Sequence, residues 1–137
     1  LTNNGYNSNN NLSYSVNVSN AVLTFTDNSS MTWQSSRTSE WIEGDSTDLF
    51  NDGVAGICDD VYSITGSGSG VNRNGLSYSV VITSPLRKEV CCRWLVSGSL
   101  DISPQGLSTR LVDYGTGACD RFATVTINGN AYNVSMW

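Results

Sequence analysis

The sequence predicts an all-β protein: a single antiparallel β-sandwich, jelly-roll or Ig-like, of about ten short strands and stapled by disulfides. Three observations predict it. Apolar and polar residues alternate in short runs, and no segment sustains a helical period over several turns. Clusters of Gly, Asn, Asp, Ser and Pro separate those runs at roughly eight-to-twelve-residue spacing. Four cysteines, no histidine and a polar, lysine-poor composition suit an oxidising, extracellular setting.

Each element follows in order. Residues 1–11 are polar and low in complexity and read as a flexible arm, leaving residues 12–137 as the single domain. In residues 12–18, Leu12, Tyr14, Val16 and Val18 alternate with polar residues as in a half-buried strand. Short strands are expected at 21–26 and 31–34, and another at 37–43 around Trp41 and Ile42. Residues 45–60 form a long acidic loop, with one helical turn near 47–50 that Asp45 or Ser46 would cap. A strand at 61–65 precedes a glycine-serine stretch, 66–70, and the strand at 76–83 ends at Ser84-Pro85.

The most hydrophobic run, 90–98, is the expected central strand. Successive side chains on a strand turn to opposite faces, so Val90, Cys92, Trp94 and Val96 would face the core. Residues 99–103 and 109–114 give two further strands, and 122–127 with 131–136 form a hairpin around Asn128-Gly129, the strongest turn signal in the chain. Residues 10–16 and 74–80 echo one another, each a turn feeding a strand whose Tyr and Val share a face.

Four cysteines allow three pairings. A bond between adjacent Cys91 and Cys92 needs a distorted peptide and ranks last. Their opposite orientations send them to partners on opposite faces, and the expected pairing is Cys92 with Cys119 inside and Cys58 with Cys91 on the other side; one bond with two buried free thiols is the competing arrangement. The spacing lacks a zinc knuckle.

The chain is one domain by length. Its net charge of −5 argues against nucleic acid and anionic membrane surfaces, which need a basic footprint. No apolar run approaches a membrane span. A first residue of Leu1 rather than Met is expected of a processed chain.

The stretches Tyr62-Ser-Ile-Thr-Gly-Ser-Gly-Ser-Gly, Asn72-Arg-Asn-Gly, Cys92-Arg-Trp-Leu-Val-Ser-Gly, Asp113-Tyr-Gly-Thr-Gly-Ala-Cys-Asp and Ala123-Thr-Val-Thr-Ile-Asn-Gly carry a resemblance. Together they resemble a C-terminal domain of secreted proteins and lipoproteins of Bacteroidota, especially flavobacteria, over most of residues 30–137. The resemblance implies an exported, cell-surface β-domain with no established activity. It also implies Cys92 with Cys119 as the shared disulfide, with Cys58 and Cys91 as this chain's addition. The family's loop reads Asp-Tyr-Gly-Asp-Gly-Thr-Cys-Asp; Thr116 stands here for an aspartate, and a metal site there loses a carboxylate.

Without histidine, Ser-His-Asp, Cys-His and His-metal chemistry are excluded. Carboxylates remain, but no spacing selects a glycosidase-type pair from Asp59, Asp60, Asp113 and Asp120, so the expectation is no enzyme and no cofactor. Calcium is the one ion the residues would suit, through Asp113, Asp120 and the carbonyls of 115–117, or through Asp45, Asp48 and Asp52. An Asx-turn network is the plainer reading of these aspartates.

Two binding roles fit an exported, non-catalytic β-domain. The first is structural or adhesive: Leu12, Tyr14, Val16 and Val18 form a strand that could leave its own domain and complete a neighbour's sheet, making the protein its own partner in a fibre. Trp137 could seal such a contact. The second is carbohydrate binding, with surface glycans as partners. Here Trp41, beside the acidic loop, is the best exposed candidate, and Trp33 is either a second ring or core.

Overall fold

A computed structural model describes residues 1–136; Trp137, and the contact assigned to it, lie outside the described residues. The protein is all-β. Nine strands form one antiparallel sheet in chain order: β1 (Thr2–Tyr6), β2 (Leu12–Thr24), β3 (Ser30–Glu43), β4 (Val61–Val71), β5 (Ser77–Glu89), β6 (Leu95–Pro104), β7 (Arg110–Thr116), β8 (Phe122–Ile127) and β9 (Asn130–Ser135). Two short helical turns, α1 (Leu49–Asp52) and α2 (Ala55–Cys58), fill the β3–β4 connection. Every strand pairs with its neighbours in sequence, so the order has no crossover and lacks the Greek-key pairing of a jelly-roll or Ig-like sandwich. Strand patterning reports which segments are extended; it carries no information about which strands pair.

The strands are fewer and longer than expected, because several turn signals are absorbed as bulges. Residues 12–18 and 21–24 are one strand, with the register shifting between Val18 and Ala21 around Asn20, whose φ is 53°. Residues 31–34 and 37–43 are likewise one strand. Ser84 and Pro85 do not end β5, since the ladder shifts there and resumes at Arg87. Residues 1–11, read as a flexible arm, contain β1, paired with β2 from Thr2 to Tyr6. Its composition hides it: β1 is held by its ladder and by the Asn4 amide donating to Ser15 at 2.8 Å, not by apolar alternation.

The glycine-serine stretch is also strand. Gly66, Gly68 and Gly70 oppose Arg37, Ser35 and Trp33 of β3. A Cβ on Gly70 would overlap the Thr32 carbonyl oxygen and lie 3.0 Å from the Trp33 Cα, and one on Gly66 would overlap the Ser36 carbonyl. The missing side chains let the β3 and β4 backbones approach this closely.

The expected central strand at 90–98 is instead a turn followed by a strand. Residues 90–94 connect β5 to β6, and β6 begins at Leu95. The face assignment survives in part: Cys92 and Val96 are buried, whereas Val90 is 40% exposed. Hydrophobicity marked the segment because two disulfide cysteines and Trp94 fall together in it, not because it is extended; Val90, Cys91 and Arg93 are exposed. The buried apolar residues Val61, Leu86, Cys92, Val96 and Ala123 all lie at that end, where β4, β6 and β8 begin and β5 finishes.

The other end consists of hairpin tips. Three five-residue turns, at Phe25 and Asn72 on this end and at Asn7 on the disulfide end, share one pattern: each of these residues donates to the carbonyl four residues on and accepts from the amide three residues on. Asn10, Asn28 and Gly75 take the left-handed position in them. The echo between residues 10–16 and 74–80 is this turn feeding β2 and β5. At the far tips Arg73 reaches from the β4–β5 turn to Asp27 in the β2–β3 turn at 2.5 Å and lies 4.0 Å over the Phe25 ring.

Candidate functional site

Three regions carry the residues that the sequence singles out: the face of the sheet that bears Trp33 and Trp41, its disulfide end, and its two edges. Cross-strand partners share a face, and the register therefore defines that face row by row. Leu12, Trp41 and Tyr62 form one row, and Tyr14, Ser39, Ile64 and Leu86 the next. Val18, Ser35, Gly68, Val80 and Ile102 form another. Ile82, Leu100, Val112, Val125 and Tyr132 extend the apolar surface across the last five strands.

A cleft of about 340 Å³ lies on this face, with Trp33, Arg37, Gly66, Gly68, Tyr78 and Tyr114 among its lining. Trp33 is 40% exposed at this cleft. Trp41, expected to be the more exposed ring, is half-buried. It stacks on Tyr62 with ring centroids 5.8 Å apart, because β3 and β4 place the two rings directly opposite one another. The sequence position beside an acidic loop suggested exposure; cross-strand pairing decided otherwise.

Behind that stack, the Trp41 Nε1 and Asp60 Oδ1 are buried without hydrogen-bond partners. Burial pushes the Asp60 carboxyl above the ordinary value of 3.8; neighbouring Asp59 adds to this, and the Trp41 indole N–H draws it partly back. Burial, then the charge of Asp60, likewise raises the Tyr62 phenol.

The disulfide end shows why two cysteines are adjacent. Cys58 bonds Cys91, and Cys92 bonds Cys119, the expected pairing. The β5–β6 turn is thereby tied to the β3–β4 connection on one side and to the β7–β8 loop on the other. Lys88 lies in β5 and donates its Nζ to the Cys92 carbonyl. Arg87 beside it pairs with Glu43 at 2.7 Å.

The acidic residues act as local caps. Asp48, rather than Asp45 or Ser46, caps α1, accepting from Phe50 N and Asn51 N at 2.8 Å each. These bonds hold its carboxyl below the ordinary range. Asp113 and Asp120 line one small cleft, but each accepts from the amide two residues ahead, Gly115 N and Phe122 N, both at 2.8 Å. Among the described residues no three carboxylates or thiols gather as a metal site would require. Phe50, on α1, is 95% exposed, and nothing in its polar surroundings singled it out in the sequence.

The edges are β1 and β9. Leu12, Tyr14, Val16 and Val18, read as a strand able to leave the domain, belong to β2, which is paired with β1 on one side and β3 on the other. They are interior to the sheet and half-buried. The strands with a free edge are β1 and β9, and β9 is exposed at all six positions.

No helix of the described residues is long and apolar enough to cross a membrane. No protein-family description matches this chain, and neither does any curated protein or solved structure.

Proposed function

We propose that this chain is a non-catalytic, extracellular structural or adhesive subunit that assembles with copies of itself through its sheet edges. The observation that carries this reading is how much surface the fold leaves uncovered. The accessible area is 8658 Å², whereas a compact monomer of 14.7 kDa exposes about 6,900 Å². The difference, about 1,700 Å², equals two standard protein–protein faces of about 800 Å² each. That is the requirement of a subunit held on two sides. Two unpaired edges on one sheet supply two places for it.

The extracellular setting rests on the disulfides, which persist in oxidising compartments. A place at the surface of a Bacteroidota cell rests on the resemblance of residues 30–137 alone. Assembly by edge addition fits the topology better than exchange of residues 12–18, since removing β2 would break two ladders. Negative-stain electron microscopy and analytical ultracentrifugation of the chain over a range of concentrations test the reading. Ordered oligomers or filaments are expected; a compact monomer throughout would overturn it.

The cleft supports a second reading, glycan binding. Its volume suits a small ligand, and Trp33 offers an exposed ring with the Gln34 amide, the Arg37 guanidinium and Tyr78 beside it. Titration of the tryptophan fluorescence with soluble polysaccharides checks this. Trp33→Ala should weaken any binding at least tenfold, about 1.4 kcal/mol, and Trp41→Phe should leave it near the wild-type value.

A further inference from the structure

The geometry points to a particular interface: two copies pair β9 against β9 about a two-fold axis at Asn133, and their sheets join into one. This rests on the self-assembly reading and names its contact. The edges differ in how they are protected. β1 is short and bulged between Asn3 and Gly5, and Asn3 Oδ1 accepts from Gly5 N, so its outer edge is broken. β9 runs without a register shift along β8, carries no charge and no proline, and is exposed throughout. It has none of the usual defences of an edge strand.

The phase of β9 fixes the register of the pairing. Asn128 and Gly129 both have positive φ, 50° and 80°, in the two-residue turn between Ile127 and Asn130. In such a hairpin the flanking residues exchange their hydrogen bonds. Asn130, Tyr132 and Val134 therefore direct their backbone groups at β8. Met136 keeps the phase, donating to the Arg121 carbonyl at 2.7 Å. Ala131, Asn133 and Ser135 direct theirs outward, toward solvent.

An antiparallel partner centred on Asn133 satisfies all of these groups. Asn133 meets its own copy, and Ala131 and Ser135 meet each other twice, each pair exchanging two bonds. The faces match in the same register. Tyr132 of one copy falls opposite Val134 of the other, continuing the apolar row that runs from Ile82 to Tyr132. Ala131, Asn133 and Ser135 stay on the polar face. Shifting the register by one residue would set polar side chains against that apolar row. Parity argues for the same arrangement. Nine alternating strands leave β1 and β9 parallel, so head-to-tail growth of the sheet gives a parallel joint. A two-fold joint between identical edges is antiparallel, the more stable pairing.

The test is a charge swap at the axis. Asn133 is exposed and its main contact within the chain is a long bond from Thr124 at 3.4 Å, so Asn133→Lys and Asn133→Glu should leave the fold intact by circular dichroism. By light scattering after gel filtration, the wild type should form a dimer or multiples of it. Each single variant should weaken that step at least tenfold, and an equal mixture of the two should restore it. In wild type at associating concentrations, amide exchange at Ala131, Asn133 and Ser135 should slow at least tenfold relative to dilute protein. If the wild type associates while both variants associate equally well, and those three amides stay unprotected, the β9 joint is overturned and self-assembly stands. If the wild type does not associate at all, both fall.

Discussion

At Asp60 a carboxylate is held where water barely reaches, 7% exposed, with one oxygen lacking a hydrogen-bond partner. A carboxyl whose pKa is raised on folding binds its proton more tightly in the folded chain. It costs stability at pH values above that raised pKa, and the cost disappears as pH falls through it. Asp27, Glu43 and Asp48 act with the opposite sign. Their carboxyls are lowered, by Ser29, Arg87 and Asn51 respectively. They favour the folded chain above the ordinary carboxylate range and lose that effect as pH falls through their lowered values. Asp60→Asn should therefore raise the melting temperature at neutral pH by about 3 °C. The gain should shrink as the pH falls through the raised Asp60 value. Melts of both proteins across the acid range check this, and a gain that grows toward low pH would contradict the assignment. Gly70 makes the second prediction at this scale. Gly70→Ala places a methyl group against the Thr32 carbonyl and the Tyr78 hydroxyl and should cost about 2–3 kcal/mol in urea unfolding. Gly75→Ala, in an open turn, should cost less, about 1 kcal/mol for its positive φ.

Among the elements, the β5–β6 turn has the most work to do. Three successive connections at one end of the sheet are joined through Cys91 and Cys92, across sequence separations of 33 and 27. Closing a loop of either length lowers the entropy of the unfolded chain enough to stabilise the fold by about 3.5 kcal/mol. The β3–β4 connection contains only short helical turns, and Gly56 is its one buried residue within them. Its order depends on Cys58 and on the caps of Asp48 and Thr47, the latter donating to the Gly44 carbonyl at 2.8 Å. The paired substitution Cys58→Ser with Cys91→Ser should lower stability by about 2–4 kcal/mol and open residues 45–58 to proteolysis. Cys92→Ser with Cys119→Ser should be the more damaging pair, because Cys92 is 3% exposed and part of the small core. Limited proteolysis with mass spectrometry, run beside urea unfolding, separates the two effects.

For the molecule as a whole, a single sheet without crossovers buries little. Among the described residues five apolar side chains are buried, Val96 alone completely, and large side chains such as Val22, Phe122 and Tyr132 are more than half exposed. A chain of this length can bury more, so the fold leaves apolar surface exposed. Association through an edge and its adjoining apolar row should raise the melting temperature with protein concentration. Asn133→Lys should remove that dependence while leaving the dilute melting temperature within about 1 °C. Because β9 bears no charge, the association should also vary little with salt, unlike one held by ion pairs.

The sequence by itself determined that the chain is all-β, that its backbone is extended in alternating runs, and that an Asn-Gly turn makes the final hairpin. It also pointed to the two disulfides, since residues joined covalently must have compatible orientations wherever the chain goes. These are local properties, set by one strand or one turn at a time. Tertiary structure alone decided the rest. It made the hydrophobic run at 90–94 a turn, because hydrophobicity along the chain does not separate a disulfide-linked turn from a strand. It joined short strands through bulges at Asn20 and Pro85 and made residues 2–6 a strand through pairing with β2. It put Trp41 under Tyr62 and left Trp33 open, since exposure depends on the ring across the ladder. It also made β9 rather than residues 12–18 the free strand, because an edge is defined by the neighbour a strand lacks, and no single strand's sequence records its neighbours.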